Sequence, residues 1–207
     1  MFNTFQLSSK LINTFTGHGY IHNIDYTVFE DCQFICFGSY DKAVCVWDID
    51  NNKQIKLFNG HSRPVSCVKF SLYHYNNNHQ NVVCSSSWDK TICFWDFKHN
   101  MQLKIFNGHK KDIYGIEFSS FNGGRYLCSG SGDNTIHLWD VEISKSLHVF
   151  NGHKDHVHCV DISPLQSNAN NKMNNIGVIG GNGYKICSGS LDKTIRIWDI
   201  ETTKQSN

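Results

Sequence analysis

Apolar and polar residues alternate along this chain in short runs, and no segment predicts a helix. The clearest runs have a period of two: PVSCVKF (64–70), DIYGIEF (112–118) and HVHCVDI (156–162). Others follow, such as NVVCSS, YLCSG and KTICFWD, and then QIKLF (54–58), QLKIF (102–106) and SLHVF (146–150). Runs this short, rich in Val, Ile, Phe and Cys and broken by Gly, Asp and Asn, predict β-strands. The two prolines, Pro64 and Pro164, fall at strand edges or turns, where no ladder hydrogen bond is lost.

The runs recur in a fixed order. Trp-Asp occurs at Trp47-Asp48, Trp95-Asp96, Trp139-Asp140 and Trp198-Asp199, and it alternates with Gly17-His18, Gly60-His61, Gly108-His109 and Gly152-His153. From the Asp of each pair to the next Gly is 12 residues, three times over. The distance from Gly to Trp varies, so the length variation sits in one segment of the unit. An aspartate stands six residues before each tryptophan: Asp41, Asp89, Asp133 and Asp192. A serine stands four before that aspartate at Ser85, Ser129 and Ser188, but Phe37 takes the place in the first unit. Each unit therefore reads as four strands, and self-similarity at this period marks a repeat architecture.

This pattern resembles the WD-repeat family, the β-transducin-like propellers, over nearly the whole chain. The resemblance implies an all-β fold: a β-propeller of four-stranded antiparallel blades, four WD repeats being present as a partial or small ring. A single domain over 1–207 is expected, with units of about 18–60, 61–108, 109–152 and 153–199. Residues 10–16 match the end of a unit and are expected to supply the fourth strand of a closing or preceding blade, which would remove a free sheet edge. Rings of the resembled family commonly have about seven blades, within the general range of propellers. A piece of a longer propeller is thus the expected reading. Two copies completing one ring, or four blades closing alone, are the alternatives. The inserts 72–81 and 166–184, rich in Asn and Gly, read as flexible surface loops.

Composition narrows the function. With 19 Lys plus Arg against 18 Asp plus Glu, the net charge is +1, so the basic footprint of a nucleic-acid binder is missing and direct nucleic-acid contact is not expected. No apolar run approaches the ~20 residues that span a bilayer. No secretory signal is read in MFNTFQLSSK, and an intracellular site, cytoplasmic or nuclear, is expected. The nine cysteines are odd in number, contain no C-x-x-C, and recur at one repeat position (Cys36, Cys84, Cys128, Cys187). They read as small buried hydrophobes in a reducing compartment rather than as disulfides or metal ligands.

Ser, His and Asp recur in every unit and could suggest a hydrolase. In the resembled family the matching residues form a buried structural tetrad instead. The resemblance places one on His61, Ser85, Asp89 and Trp95, a second on His109, Ser129, Asp133 and Trp139, and a third on His153, Ser188, Asp192 and Trp198. The first unit keeps His18, Asp41 and Trp47 only, and its blade is expected to be the least well locked. A nucleophile needs one exposed pocket with an oxyanion hole, and repeating the set in several blades serves no such purpose. No catalysis, metal or cofactor is expected. His156 and His158, with Asp155 and Asp161, lack the compact spacing of a zinc site.

The resemblance also implies a partner face: the third and fifth residues after each Gly-His histidine, and the residue before each turn aspartate. These are Tyr20 and His22 (one position earlier, because the loop is shorter), Pro64 and Ser66, Asp112 and Tyr114, His156 and His158, then Tyr40, Trp88, Gly132 and Leu191. Exposed Tyr, Trp and His are the material of protein-binding hot spots. Trp88 is the one tryptophan outside a Trp-Asp pair. The expected function is a non-catalytic scaffold or adaptor whose partners are other proteins, with self-association to complete a ring as a further expectation. Two alternatives stand beside it. The stretch VCSSSWDKTICFWDFK (83–98), ending at Lys98, is similar to the extended box through which some family members act as substrate receptors of cullin-type ubiquitin ligases. Other members are scaffold subunits of RNA-processing complexes.

Overall fold

In the computed structural model, which describes residues 11, 14–16, 18–164 and 184–200, the alternating runs are strands that pair antiparallel with their neighbours. The first blade is β1 (Ile21–Phe29), β2 (Cys32–Ser39), β3 (Val44–Asp48) and β4 (Lys53–Phe58). The second is β5 (Val65–Phe70), β6 (Val82–Ser87), β7 (Thr91–Asp96) and β8 (Met101–Asn107). The third is β9 (Ile113–Phe118), β10 (Tyr126–Ser131), β11 (Thr135–Asp140) and β12 (Lys145–Asn151). The fourth, β13 (Val157–Pro164), β14 (Tyr184–Ser190) and β15 (Ile195–Asp199), has three strands among the described residues.

The turn joining the second and third strands is built by its aspartate. One carboxylate oxygen of Asp89, Asp133 and Asp192 accepts the backbone N–H two residues on, at 3.0 Å each, and Asp41 does the same at 3.2 Å. The residue between them, Lys42, Lys90, Asn134 or Lys193, sits left-handed at φ 68–75°. That conformation disfavours a side chain, and the local carboxylate bond offsets the cost.

Successive blades pack face to face, with the innermost strands β1, β5, β9 and β13 side by side in chain order. In each blade the front is the side turned to the next blade, and the back is turned to the one before. Phe34, Cys36, Val44 and Val46 on the front of the first blade meet Val65, Val68, Val83 and Trp95 on the back of the second. Cys84, Ile92 and Phe94 likewise meet Ile113, Ile116 and Leu127, and Cys128, Ile136 and Leu138 meet Val157, Ile162 and Ile186. With a blade on each side, both faces of these strands are covered, so VVCSSS and YLCSGS are buried at every residue, small Ser and Gly included.

One expectation needs adjustment. The insert 72–81 is not a flexible loop: Leu72–Asn78 form a helix, α1. Its aromatic residues anchor it. His74 is buried and bonds Ser71 Oγ at 2.8 Å, while Tyr75 stacks on Phe29 at 4.2 Å and its hydroxyl accepts the Glu30 N–H. The insert 166–184 lies, but for Tyr184 in β14, outside the described residues. Of 10–16, residues 10, 12 and 13 also lie outside them. Phe15 packs on Trp47 at 4.5 Å, as Phe58 packs on Trp95 and Phe106 on Trp139. No helix among the described residues is long and apolar enough to cross a membrane.

Candidate interaction face and the polar sets beneath it

In the second, third and fourth blades the recurring His, Ser, Asp and Trp are one hydrogen-bonded set. The indole N–H of Trp95 donates to Ser85 Oγ at 2.7 Å, and His61 Nε2 meets the same hydroxyl at 2.7 Å. His61 Nδ1 faces Asp89 at 2.8 Å; because a carboxylate only accepts, that nitrogen carries the proton. The third blade repeats the geometry at 2.8, 2.8 and 3.0 Å, and the fourth at 2.8 Å throughout. The aspartate also accepts the N–H of the residue after the histidine: Ser62, Lys110 or Lys154. One carboxylate thus ties the turn to the loop that enters the blade. In these three blades the tryptophan lies against the glycine before the histidine: a Cβ on Gly108 or Gly152 would sit 3.0 Å from the Trp139 or Trp198 ring, and one on Gly60 would overlap Trp95.

Burial opposes charge on His61, but the Asp89 carboxylate outweighs it and pushes the imidazole up to about 9. Burial would raise Asp89 and Asp133; the histidine and threonine hydrogen bonds prevail and hold both well below the usual carboxylate range. Asp192 is held low by Thr194 first and then by Lys154 and His153.

The first blade lacks the set. Phe37 packs edge-on against His18 at 4.8 Å, and His18 Nδ1 is 3.5 Å from Asp41. The Trp47 indole N–H is buried with no hydrogen-bond partner, and the Cys45 sulfur beside it is a weak acceptor. Asp41 still accepts the Ala43 N–H of the turn and the Gly19 N–H of the entering loop, so both bonds survive without the serine.

Among the described residues, His109, Asp133 and His137 have potential metal-ligand atoms within 4.8 Å of one another. Both His109 nitrogens are already engaged by Asp133 and Ser129, so an ion would have to displace the proton His109 shares with Asp133. His137 was not singled out by sequence; the signal was a histidine in an apolar run where Cys45 and Cys93 stand in other blades. Its ring lies tilted against His109 at 4.0 Å, with its Nδ1 buried and unpartnered. Burial first, then the His109 charge, pulls it down to about 4.

Four of the face residues share a backbone cause. In the innermost strand of each blade the pairing skips one residue: His22, Ser66, Tyr114 and His158. Such a bulge takes a residue out of the ladder and re-aims its side chain. His22 lies against both Tyr40, at 6.1 Å, and Trp88, at 5.6 Å; Tyr40 meets Tyr20 at 6.3 Å. Tyr114 stacks on His158 at 4.3 Å and on His156 at 5.7 Å. Tyr20, Tyr40 and Leu191 are exposed, and Asp112 is paired with Arg63 at 3.1 Å. Arg63 also donates to the Trp88 carbonyl, which links the second and third blades at this end; the sequence reading missed it.

Three face residues depart from expectation. Pro64 is buried, its carbonyl accepting the Trp88 N–H. Ser66 spends its hydroxyl on the Ile113 carbonyl of the next blade, at 2.6 Å. Trp88 is half-buried among His22 and Tyr40 rather than standing free, yet its indole N–H has no partner. Six cysteines are buried as the sequence reading expects, and burial pushes Cys67 up to about 11; Cys32 and Cys159 are exposed and Cys187 is partly buried.

Comparison with known proteins agrees with this geometry. The chain is similar over 54 residues, at 37% identity, to transcription initiation factor TFIID subunit 5 of Caenorhabditis elegans. The match covers 26% of this chain and only 8% of that relative. The family described as WD domain, G-beta repeat matches four times, at residues 9–48, 52–96, 100–140 and 144–199. Its members are in general non-catalytic protein-interaction scaffolds. With three complete polar sets, four antiparallel sheets and four matched repeats, the chain belongs to the WD domain, G-beta repeat family.

Proposed function

We propose that this chain is a non-catalytic scaffold that holds a protein partner on the end of the blades carrying Tyr20, His22, Tyr40, Trp88, Tyr114, His156 and His158. The observation that carries the reading is the recurrent bulge, which lifts His22, Tyr114 and His158 from the ladder into two aromatic clusters. Rings fixed on paired strands lose little entropy on binding. No described site combines a nucleophile with an oxyanion hole: the Ser hydroxyls are buried and committed to Trp and His. The likeness to a TFIID subunit is a likeness of repeats; membership of a multi-subunit assembly agrees with it, and no pathway follows.

The test is a paired pull-down read by mass spectrometry. The native chain is compared with a Tyr20/Trp88/His156 triple-alanine variant and with Lys53→Glu at the opposite end of the first blade. Partners lost only from the triple variant support the reading. Identical partner sets from all three overturn the face.

A further inference from the structure

The net charge of +1 hides a separation of charge along the strands. At the end that carries the aromatic clusters, Lys42, Lys90 and Lys193 tip the turns between second and third strands, and Lys110, Lys111 and Lys154 lie on the loops that enter the third and fourth blades. The aspartate bonds hold each turn to its entering loop, so these lysines stand at one end. All are exposed, and none forms an ion pair among the described residues. The aspartates beside them do not offset this. Asp89, Asp133 and Asp192 turn inward to the histidines, their side chains at most 9% exposed, and Asp112 is taken by Arg63. Only Asp41 and Asp155 expose more than a third of their side chains there.

At the opposite end, exposed Lys53, Lys98 and Lys145 are interspersed with exposed Glu30, Asp31, Asp50 and Glu142. The turn lysines also occupy a costly backbone position. Lys42, Lys90 and Lys193 have φ of 73°, 75° and 68°, in the left-handed region where Asn is better tolerated, and the third blade does place Asn134 there. A side chain held at such a cost points to a use for it. Each of these lysines follows an exposed or half-buried ring or leucine by two positions: Tyr40, Trp88 or Leu191. Charge and apolar contact are thus paired on three of the four turns.

We propose, resting on the reading of this end as the interaction face, that the partner presents an acidic peptide segment. Its carboxylates pair with the lysines of the turns and loops, while an apolar side chain lies on the aromatic rings. Complementary charge of this kind selects the partner and speeds the encounter, and the rings supply the contact area. Nucleic acid fits less well. An aspartate precedes each turn lysine, so the ammonium groups are separate charges rather than a continuous basic track, and a chain of net charge +1 exerts little long-range pull on phosphates.

Fluorescence anisotropy with the full 207-residue chain tests this against labelled probes: a Glu-rich peptide with a central Phe, the same peptide with Gln for Glu, and oligouridine. One variant combines Lys42→Asn, Lys90→Asn and Lys193→Asn; it keeps its fold by circular dichroism, since Asn134 is native at that position. A second combines Lys53→Gln, Lys98→Gln and Lys145→Gln, and removes the same charge from the opposite end. The native chain is expected to bind the Glu peptide in preference to the Gln peptide, and more weakly as salt rises. A surface ion pair is worth roughly a few-fold in affinity, so the Asn variant should bind about tenfold more weakly and the Gln variant as the native chain does. No preference for the Glu peptide, equal loss from both variants, or tighter binding of oligouridine overturns the acidic partner. The Tyr20/Trp88/His156 triple-alanine variant separates the two claims. If it loses the Glu peptide while the Asn variant keeps it, the aromatic face stands and the acidic partner falls. If it keeps the peptide while the Asn variant loses it, the lysines act without the rings and the reading of the face falls.

Discussion

The first and third blades have the same strands, turn and tryptophan, yet only the third has the polar lock. In the third, Asp133 is 8% exposed and 3.0 Å from His109, and Ser129 joins that histidine to Trp139. In the first, Asp41 is 40% exposed, His18 is 3.5 Å away, and Phe37 fills the serine's place with a ring. Asp41 nonetheless keeps its bonds to Gly19 and Ala43. The difference separates the work of the carboxylate from that of the serine. Shaping the turn and tying it to the entering loop need only backbone N–H groups, whereas joining the histidine and the indole in one network needs the serine.

Four measurements can break or sharpen that contrast. Trp139→Ala should cost about 3–5 kcal/mol, since it opens a cavity and strips Ser129 of its donor. Trp47→Ala should cost less, having no such bond to lose; equal losses in urea unfolding would contradict the role of the lock. A pH effect comes next. His74 and His137 are held neutral, each near 4, by burial first and then by Lys104 and His109 respectively. The unfolded chain takes up these protons from about 6.5 downward, so stability falls as pH drops from about 6.5 towards 4. His137→Cys, the residue found in the first and second blades, should remove on the order of 2–3 kcal/mol of that decline. An unchanged slope would show that His137 is charged in the fold.

Ser129→Ala should cost about 1–3 kcal/mol by orphaning Trp139 and His109 together. If it is neutral, ring packing alone suffices, as with Phe37. The smallest effect is expected at Trp88→Ala, about 1 kcal/mol, because its indole N–H has no bond to lose. A large drop in melting temperature there would make Trp88 a core residue rather than part of the display face.

The repeat spacing made the blades and the polar sets legible, because each depends on residues at fixed intervals within one unit. Features that depend on the neighbouring blade were hidden. Ser66 reads like the other face positions, but its hydroxyl is taken by Ile113 of the next unit. Ile195 and Ile197 read like Ile92 and Phe94, yet they are exposed, with no following blade against them among the described residues. The Asn-rich insert concealed α1, since polar composition suggested a loop while Tyr75 and His74 supplied its anchors. The bulges were invisible as backbone, although the residues they re-aim were named by position.

The most direct test of the lock is native-state hydrogen exchange at β2–β3 and β10–β11, in the native chain and in Ser129→Ala. The lock account predicts that the third blade opens at a higher free energy than the first, and that Ser129→Ala lowers the third to the level of the first while β2–β3 keep their rates. Protection of β10–β11 that is unchanged by the substitution would contradict it.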